Sequence, residues 1–192
     1  KTKPAQHSAK ELMSLGIRPD ILVCRTEHPI SDDMKRKISL FCDIDVEAVI
    51  ESPDAPTIYE VPLIMEANGL ANVAIKNLGL ENKTPDWTAW TEMVNRIKNP
   101  TKSIKVAVVG KYVELKDAYI SIDESIKHAG YHLYTKCDID YIQAEDVDVS
   151  TLSNYDGILV PGGFGHRAVE GKINAIEFAR EHKIPFFGIC LG

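Results

Sequence analysis

Hydrophobic positions along the chain change period several times, and each change marks an element. Asp20 to Arg25, with Ile21, Leu22 and Val23 in a row, reads as a short buried strand. Before it, Ser8 to Gly16 reads as a helix. Ser8 is its N-cap, Glu11 completes a capping box and Gly16 stops it. After it, Ser31 caps a helix to about Cys42, with Met34, Ile38 and Phe41 on one face and Lys35 and Arg36 outside. A short strand from Ala48 to Glu51 follows. A helical pattern then runs from Ile58 to Asn68, ends at Gly69, and a further helical segment reaches about Gly79.

Residues 81–103 are richer in Asn, Lys, Thr and Pro and contain a helix with Trp87 and Trp90, both predicted to be packing anchors. From Ile104 the pattern becomes regular. Strands are expected at Lys105–Gly110, around Ile139–Ile142, at Asp156–Val160 and at Ile184–Ile189. Helices are expected at Tyr119–Ala129, with Ile120, Ile122 and Ile126 apolar, and at Glu170–His182. Strand alternating with helix implies right-handed crossovers and a parallel sheet. The fold class is therefore α/β, with a first segment over 1–80, a connection over 81–103 and a second unit over 104–192.

Composition narrows the function. The 192 residues are 44% hydrophobic and 26% charged, as in an ordinary globular protein. A net charge of −6 argues against a general nucleic-acid surface. No apolar run approaches the roughly 18 residues of a membrane span, and the N-terminus has no apolar signal region. Cys24, Cys42, Cys137 and Cys190 form no C-x-x-C pair, which points to a reducing, cytoplasmic compartment and to no metal site. Lys1 is not an initiator Met and the chain stops directly after a strand-to-helix turn, so a piece of a longer protein is expected.

That turn carries the chemistry. The strand-like run ends in Gly188-Ile189-Cys190-Leu191-Gly192, the pattern of a nucleophile elbow with cysteine as the nucleophile. A Cβ at Gly188 or Gly192 would collide with a neighbouring element. Cys190 would be held strained and exposed, and the N-terminus of a following helix would favour its thiolate. A second glycine turn, Pro161-Gly162-Gly163-Phe164-Gly165, follows the strand 156–160 and can aim backbone N–H groups at an oxyanion. Both turns fall at strand C-termini, where open α/β sheets place their sites. None of the six histidines, His7, His28, His128, His132, His166 and His182, begins a His-x-Glu pair, so none is assigned as a base.

Pro-Gly-Gly-Phe-Gly followed by Gly-Ile-Cys-Leu-Gly resembles the first half of a class I glutamine amidotransferase domain, a flavodoxin-like fold. Lys1-Thr2-Lys3-Pro4-Ala5-Gln6-His7-Ser8 resembles the end of the amidoligase domain of the CTP synthase family. The resemblance covers essentially the whole chain. It implies that Cys190 hydrolyses glutamine, with the oxyanion held at Gly163 and Leu191 and with Gly192 in the same glutamine site. It implies that Lys1, Thr2, Lys3, Pro4, Ala5, Gln6 and Lys37 bind the UTP triphosphate, and CTP as feedback inhibitor. Arg25, Pro53, Asp54 and Ala55 would surround the ATP adenine. Mg2+ would accompany ATP on ligands outside the chain, GTP would be an allosteric activator, and the assembly would be a homotetramer with no nucleic-acid or membrane partner. The family's loop after the glycine turn reads Arg-Gly where this chain has Arg167-Ala168, so Arg167 is left out of the site.

From the residues alone, Lys1 and Lys3 flank Thr2 in what reads as an extended segment, where two like charges repel unless an anion lies between them. That pattern equally fits a solvated tail, and Lys37 equally fits a helix surface. Two other functions remain open at this stage. One is a different class I amidotransferase with a fused nucleotide-binding segment. The other is a flavodoxin-like, non-catalytic nucleotide-binding module with a structural Cys190. The 192 residues by themselves are expected to be inactive.

Overall fold

A computed structural model of the chain describes residues 2–163 and 168–192, with the backbone alone at Lys116. The chain divides into two compact units, Lys1–Val94 and Asn95–Gly192.

In the first unit, helix α1 (Lys3–Ser14) begins at Lys3 rather than after Ser8. Pro4 lies in its first turn, where a missing N–H costs nothing. Ser8 is therefore interior, Glu11 makes no capping box, and Lys3 to Gln6 are helical rather than extended. Gly16 does stop the helix: it takes φ +82° and its N–H donates to the Met13 carbonyl at 3.0 Å. Strand β1 (Leu22–Thr26) leads into α2 (Asp32–Cys42), and the chain returns as β2 (Val49–Pro53), parallel to β1. The Ser31 cap is as expected, its Oγ accepting the Met34 N–H at 3.3 Å. The buried face differs, because Ile38 and Cys42 turn inward while Phe41 is 58% exposed. The residue four places after Ile38 shares its face, and that residue is Cys42.

Ala9, Ile38, Cys42, Ile44 and Val49 form the small core, with Leu22 and Cys24 against it. Helices α3 (Val61–Ala67) and α4 (Leu70–Leu78) are separated by Gly69 at φ +81°, and Gly79 ends the second at φ +63°. Helix α5 (Thr88–Lys98) starts just after Trp87. Trp90 anchors its start, donating Nε1–H to the Tyr59 carbonyl at 2.7 Å.

The second unit is a four-stranded parallel sheet in the order β4-β3-β5-β6. Its elements are β3 (Lys102–Gly110), α6 (Ile120–His132), β4 (Thr135–Gln143), β5 (Gly157–Val160), α7 (Val169–His182) and β6 (Phe186–Gly188). The inner strands carry Ala107, Val109, Ile158 and Val160 into one core with Leu152, Ala175 and Ala179. Gly171 lets α7 approach closely, since a Cβ there would overlap the Ala144 carbonyl. The run 184–189 reads as a buried strand in sequence but is a three-residue edge here. Phe186 and Phe187 are 39% and 64% exposed, because β6 pairs with β5 on one side only. The sheet order brings the ends of β3, β5 and β6 side by side.

Candidate functional site

In the second unit the chain leaves β6 through a tight turn. The last ladder bond runs from the Ile189 N–H to the Val160 carbonyl at 3.0 Å, and the Gly192 N–H donates back to the Ile189 carbonyl at 3.0 Å. Between them Cys190 adopts φ +58°, a left-handed conformation that costs a non-glycine residue about 1–2 kcal/mol, and its side chain is exposed. The two glycines are required by space. A Cβ at Gly192 would overlap the Val160 carbonyl oxygen and stand 2.7 Å from its carbon. One at Gly188 would stand 2.5 Å from the Gly192 carbonyl carbon. The elbow expected from Gly188, Cys190 and Gly192 is therefore present in shape: a thiol at the tip of a strained turn at a strand C-terminus.

The glycine turn after β5 borders it. A Cβ on Gly162 would lie 3.4 Å from Cys190 Cβ and 4.0 Å from Sγ, so Gly162 forms a wall of the thiol's surroundings. Gly163 faces elsewhere: its Cβ would meet Lys172 Nζ at 3.4 Å, and Lys111 and Tyr112 at 3.9 Å. Leu191 is 51% exposed at the far side of the elbow. Phe164, Gly165, His166 and Arg167 lie outside the described residues. Ala168, which follows them, has φ +69°, so it occupies a left-handed position that suits the glycine expected there by resemblance.

The turn after β3 completes the rim. The Tyr119 hydroxyl accepts the Lys111 N–H at 3.0 Å and the Tyr112 N–H at 3.1 Å, while Gln143 Nε2 donates to the Lys111 carbonyl at 3.2 Å. Gly110 makes room for this clamp, since a Cβ there would stand 2.6 Å from the Tyr119 oxygen.

The sequence reading missed Lys172. It is only 4% exposed, and its ammonium donates to the Pro161 carbonyl at 3.1 Å. Desolvation and the nearby Lys111 push its pKa down, while Cys190 pulls it up. A signal did exist: Ala168, Lys172, Ala175 and Ala179 fall at helical spacing on the buried stripe of α7, and a lysine is out of place there. Two histidines, by contrast, are engaged on helix surfaces. His128 sits 3.7 Å from Glu124, and His182 Nδ1 lies 3.0 Å from the Phe178 carbonyl.

In the first unit, Lys1 lies outside the described residues. Thr2, Pro4 and Ala5 line one cleft of about 430 Å³ together with Arg25, Cys24 and Met34. Thr2 is buried, and its hydroxyl accepts from Gln6 Nε2 at 3.0 Å. Parallel pairing sets Thr26 opposite Pro53. This lets the Asp54 N–H reach the Thr26 carbonyl at 3.1 Å and its carboxylate pair with Arg25 at 2.6 Å. Arg25 thus joins Pro53, Asp54 and Ala55 at the strand ends, beside the Thr2–Ala5 segment. Lys3 and Lys37 are exposed, and neither lines the cleft. Among the described residues no three His, Cys, Asp or Glu side chains are placed to hold a metal ion. Among them, too, no helix is long and apolar enough to cross a membrane.

Residues 1–80 match the family described as CTP synthase N-terminus, and residues 114–192 match glutamine amidotransferase class-I. The whole chain aligns at 56% identity over 196 residues with a CTP synthase of Ruminiclostridium cellulolyticum, covering 37% of it. The chain belongs to the CTP synthase family. It is also 55% identical over 202 residues to a CTP synthase of Methanocaldococcus jannaschii and 54% identical over 196 residues to one of Bacillus cereus, covering all of this chain and 37% of each relative. The chain thus spans little more than a third of the length of these relatives. A solved structure described as the Trypanosoma brucei CTPS glutaminase domain with bound acivicin aligns at 38% identity and a TM-score of 0.44, over 46% of this chain and 37% of that one. The two family matches meet the two halves of the sequence reading, and they favour it over a flavodoxin-like module with a structural cysteine.

Proposed function

We propose that the chain is the part of a CTP synthase that joins its two chemistries. Residues 1–80 close the amidoligase domain, 81–103 connect, and 104–192 open the glutaminase domain. The observation that carries this reading is the elbow: Cys190 at φ +58° between two glycines that leave no room for a Cβ, with Gly162 beside its sulfur.

Cys190 Sγ attacks the side-chain amide carbon of glutamine. The C–N bond breaks and ammonia leaves, forming a glutamyl thioester that water hydrolyses to glutamate. N–H groups of the glycine turn, at Gly163, and of Leu191 hold the oxyanion, with Gly192 allowing the close approach. Losing one such donor typically costs about 2.7–4 kcal/mol of barrier. At the other site ATP phosphorylates O4 of UTP and ammonia displaces the phosphate, giving CTP. Thr2, Lys3, Pro4, Ala5, Gln6 and Lys37, with Lys1, hold the triphosphate of UTP or of inhibitory CTP. Arg25, Pro53, Asp54 and Ala55 hold the adenine of ATP. Mg2+ would neutralise the phosphates of ATP from ligands other than the described residues. GTP activation, a homotetramer, a cytoplasmic location and inactivity of the 192 residues on their own belong to the same proposal.

The test is Cys190→Ala in the full-length protein. Glutamine-dependent CTP formation is expected to vanish while ammonia-dependent formation persists. A folded variant that supplied ammonia does not rescue would refute this division of labour.

A further inference from the structure

Burying an ammonium group is costly unless several partners compensate it. Lys172 is buried, at helical spacing from the buried Ala168, Ala175 and Ala179, and its Nζ donates to the Pro161 carbonyl at 3.1 Å. A lysine so placed is a poor choice for stability. Its surroundings indicate another purpose. Pro161 begins the glycine turn, a Cβ on Gly162 would lie 3.4 Å from Cys190 Cβ, and Gly163 is held so close to Lys172 that a Cβ would stand 3.4 Å from the ammonium nitrogen. The turn is thus sandwiched between the thiol and the lysine. A trans peptide directs its N–H opposite to its carbonyl. Fixing the Pro161 carbonyl on Lys172 therefore turns the Gly162 N–H away from the lysine, and a cation on the carbonyl polarises that peptide further.

We propose that Lys172 is a positioning residue for the glutaminase step: its ammonium, held on the Pro161 carbonyl, locks the Pro161–Gly163 turn in the orientation that serves the nucleophile. This rests on the reading of Cys190 as the nucleophile. Lys111 and Cys190 are the ionisable groups that couple to Lys172 among the described residues. They pull in opposite senses, Lys111 against the charged amine and Cys190 for it.

The experiment uses Lys172→Met in the full-length protein, which keeps the length of the side chain and removes its donors and charge. Lys172→Arg serves as the variant that retains the charge. Glutamine-dependent kcat is expected to fall about 10²-fold, the cost of a small misplacement at a reacting centre, with KM for glutamine nearly unchanged. The ammonia-dependent rate should stay at its wild-type value. Alkylation of Cys190 by iodoacetamide, followed by peptide mapping, should slow in Lys172→Met and recover in part in Lys172→Arg. A wild-type kcat in Lys172→Met, or an equal loss with glutamine and with ammonia, overturns the proposal. Cys190→Ala in the same assay separates the two readings. If it keeps glutamine-dependent activity, the assignment of the nucleophile fails. If it is dead while Lys172→Met is normal, the nucleophile stands and the role of Lys172 fails.

Discussion

Replacing Gly192 by alanine perturbs the elbow by a single methyl group. Its Cβ would stand 2.7 Å from the Val160 carbonyl carbon and 3.0 Å from the Ile189 nitrogen. Ordinary carbon–carbon contact begins near about 3.5 Å, so the first of these is short by roughly 0.8 Å. Both neighbours are backbone, and together they make the ladder bond from the Ile189 N–H to the Val160 carbonyl that ties the elbow to β5. Relief therefore requires β6 and β5 to part, with loss of that bond, about 1 kcal/mol, and overpacking strain of about 1–3 kcal/mol. A displacement of this size at the nucleophile lowers the rate about 10²-fold, equivalent to about 2.7 kcal/mol of barrier.

Gly192→Ala in the full-length protein is thus expected to lose about two orders of magnitude in glutamine-dependent kcat/KM while ammonia-dependent CTP formation is preserved. Gly157→Ala is the control, because a Cβ there meets only the Pro185 carbonyl at 3.7 Å. Its activity and stability should stay near wild type. Near-normal glutaminase in Gly192→Ala, or comparable damage in Gly157→Ala, would refute the steric reasoning.

If Lys3 and Lys37 hold the nucleotide triphosphate as proposed, Lys3→Ala and Lys37→Ala should each raise KM for UTP and weaken inhibition by CTP in parallel, since both nucleotides would present one triphosphate to the same side chains; a raised KM with unchanged inhibition would separate the two sites. Ala168→Gly should leave the thermal midpoint near wild type. Relief of the left-handed strain at φ +69° is worth about 1–2 kcal/mol, but glycine's added freedom in the unfolded chain returns about 0.4–1 kcal/mol of it and loss of the buried methyl costs about 0.8 kcal/mol. Burial, together with its hydrogen bond to Asp123, pushes the Tyr141 phenol up to about 12. Below the ordinary tyrosine value of about 10 its contribution to stability is complete, and it is lost as pH rises through 12. A wild-type minus Tyr141→Phe phenolate titration with its midpoint near 10 would contradict this.

The parallel sheet and most of its elements could be read from sequence because strand runs such as 105–110 and 156–160 are short, apolar and bounded by glycine. The elbow was legible for a related reason: only glycine can occupy 188 and 192 once the chain turns that sharply. What escaped depends on packing. The Ser8–Glu11 pair has the form of a capping box, yet the helix runs on through it to Lys3, burying Ala9. Phe41 is more hydrophobic than Cys42, but the position four residues after Ile38 faces the core. Phe186 and Phe187 look like core residues and stand exposed on an edge strand. Lys172 carries a polar name at a buried helical position, and only the approach of α7 to the Pro161–Gly163 turn reveals what it touches.

Cys190 is proposed as the nucleophile of a glutaminase. The most direct measurement is covalent labelling of the full-length protein with a glutamine-mimicking electrophile, followed by peptide mapping. The expected result is a single adduct on Cys190, blocked by excess glutamine, with loss of glutamine-dependent but not ammonia-dependent CTP formation. Labelling spread over Cys24, Cys42 and Cys137, or labelling of Cys190 that glutamine does not protect against, would contradict it.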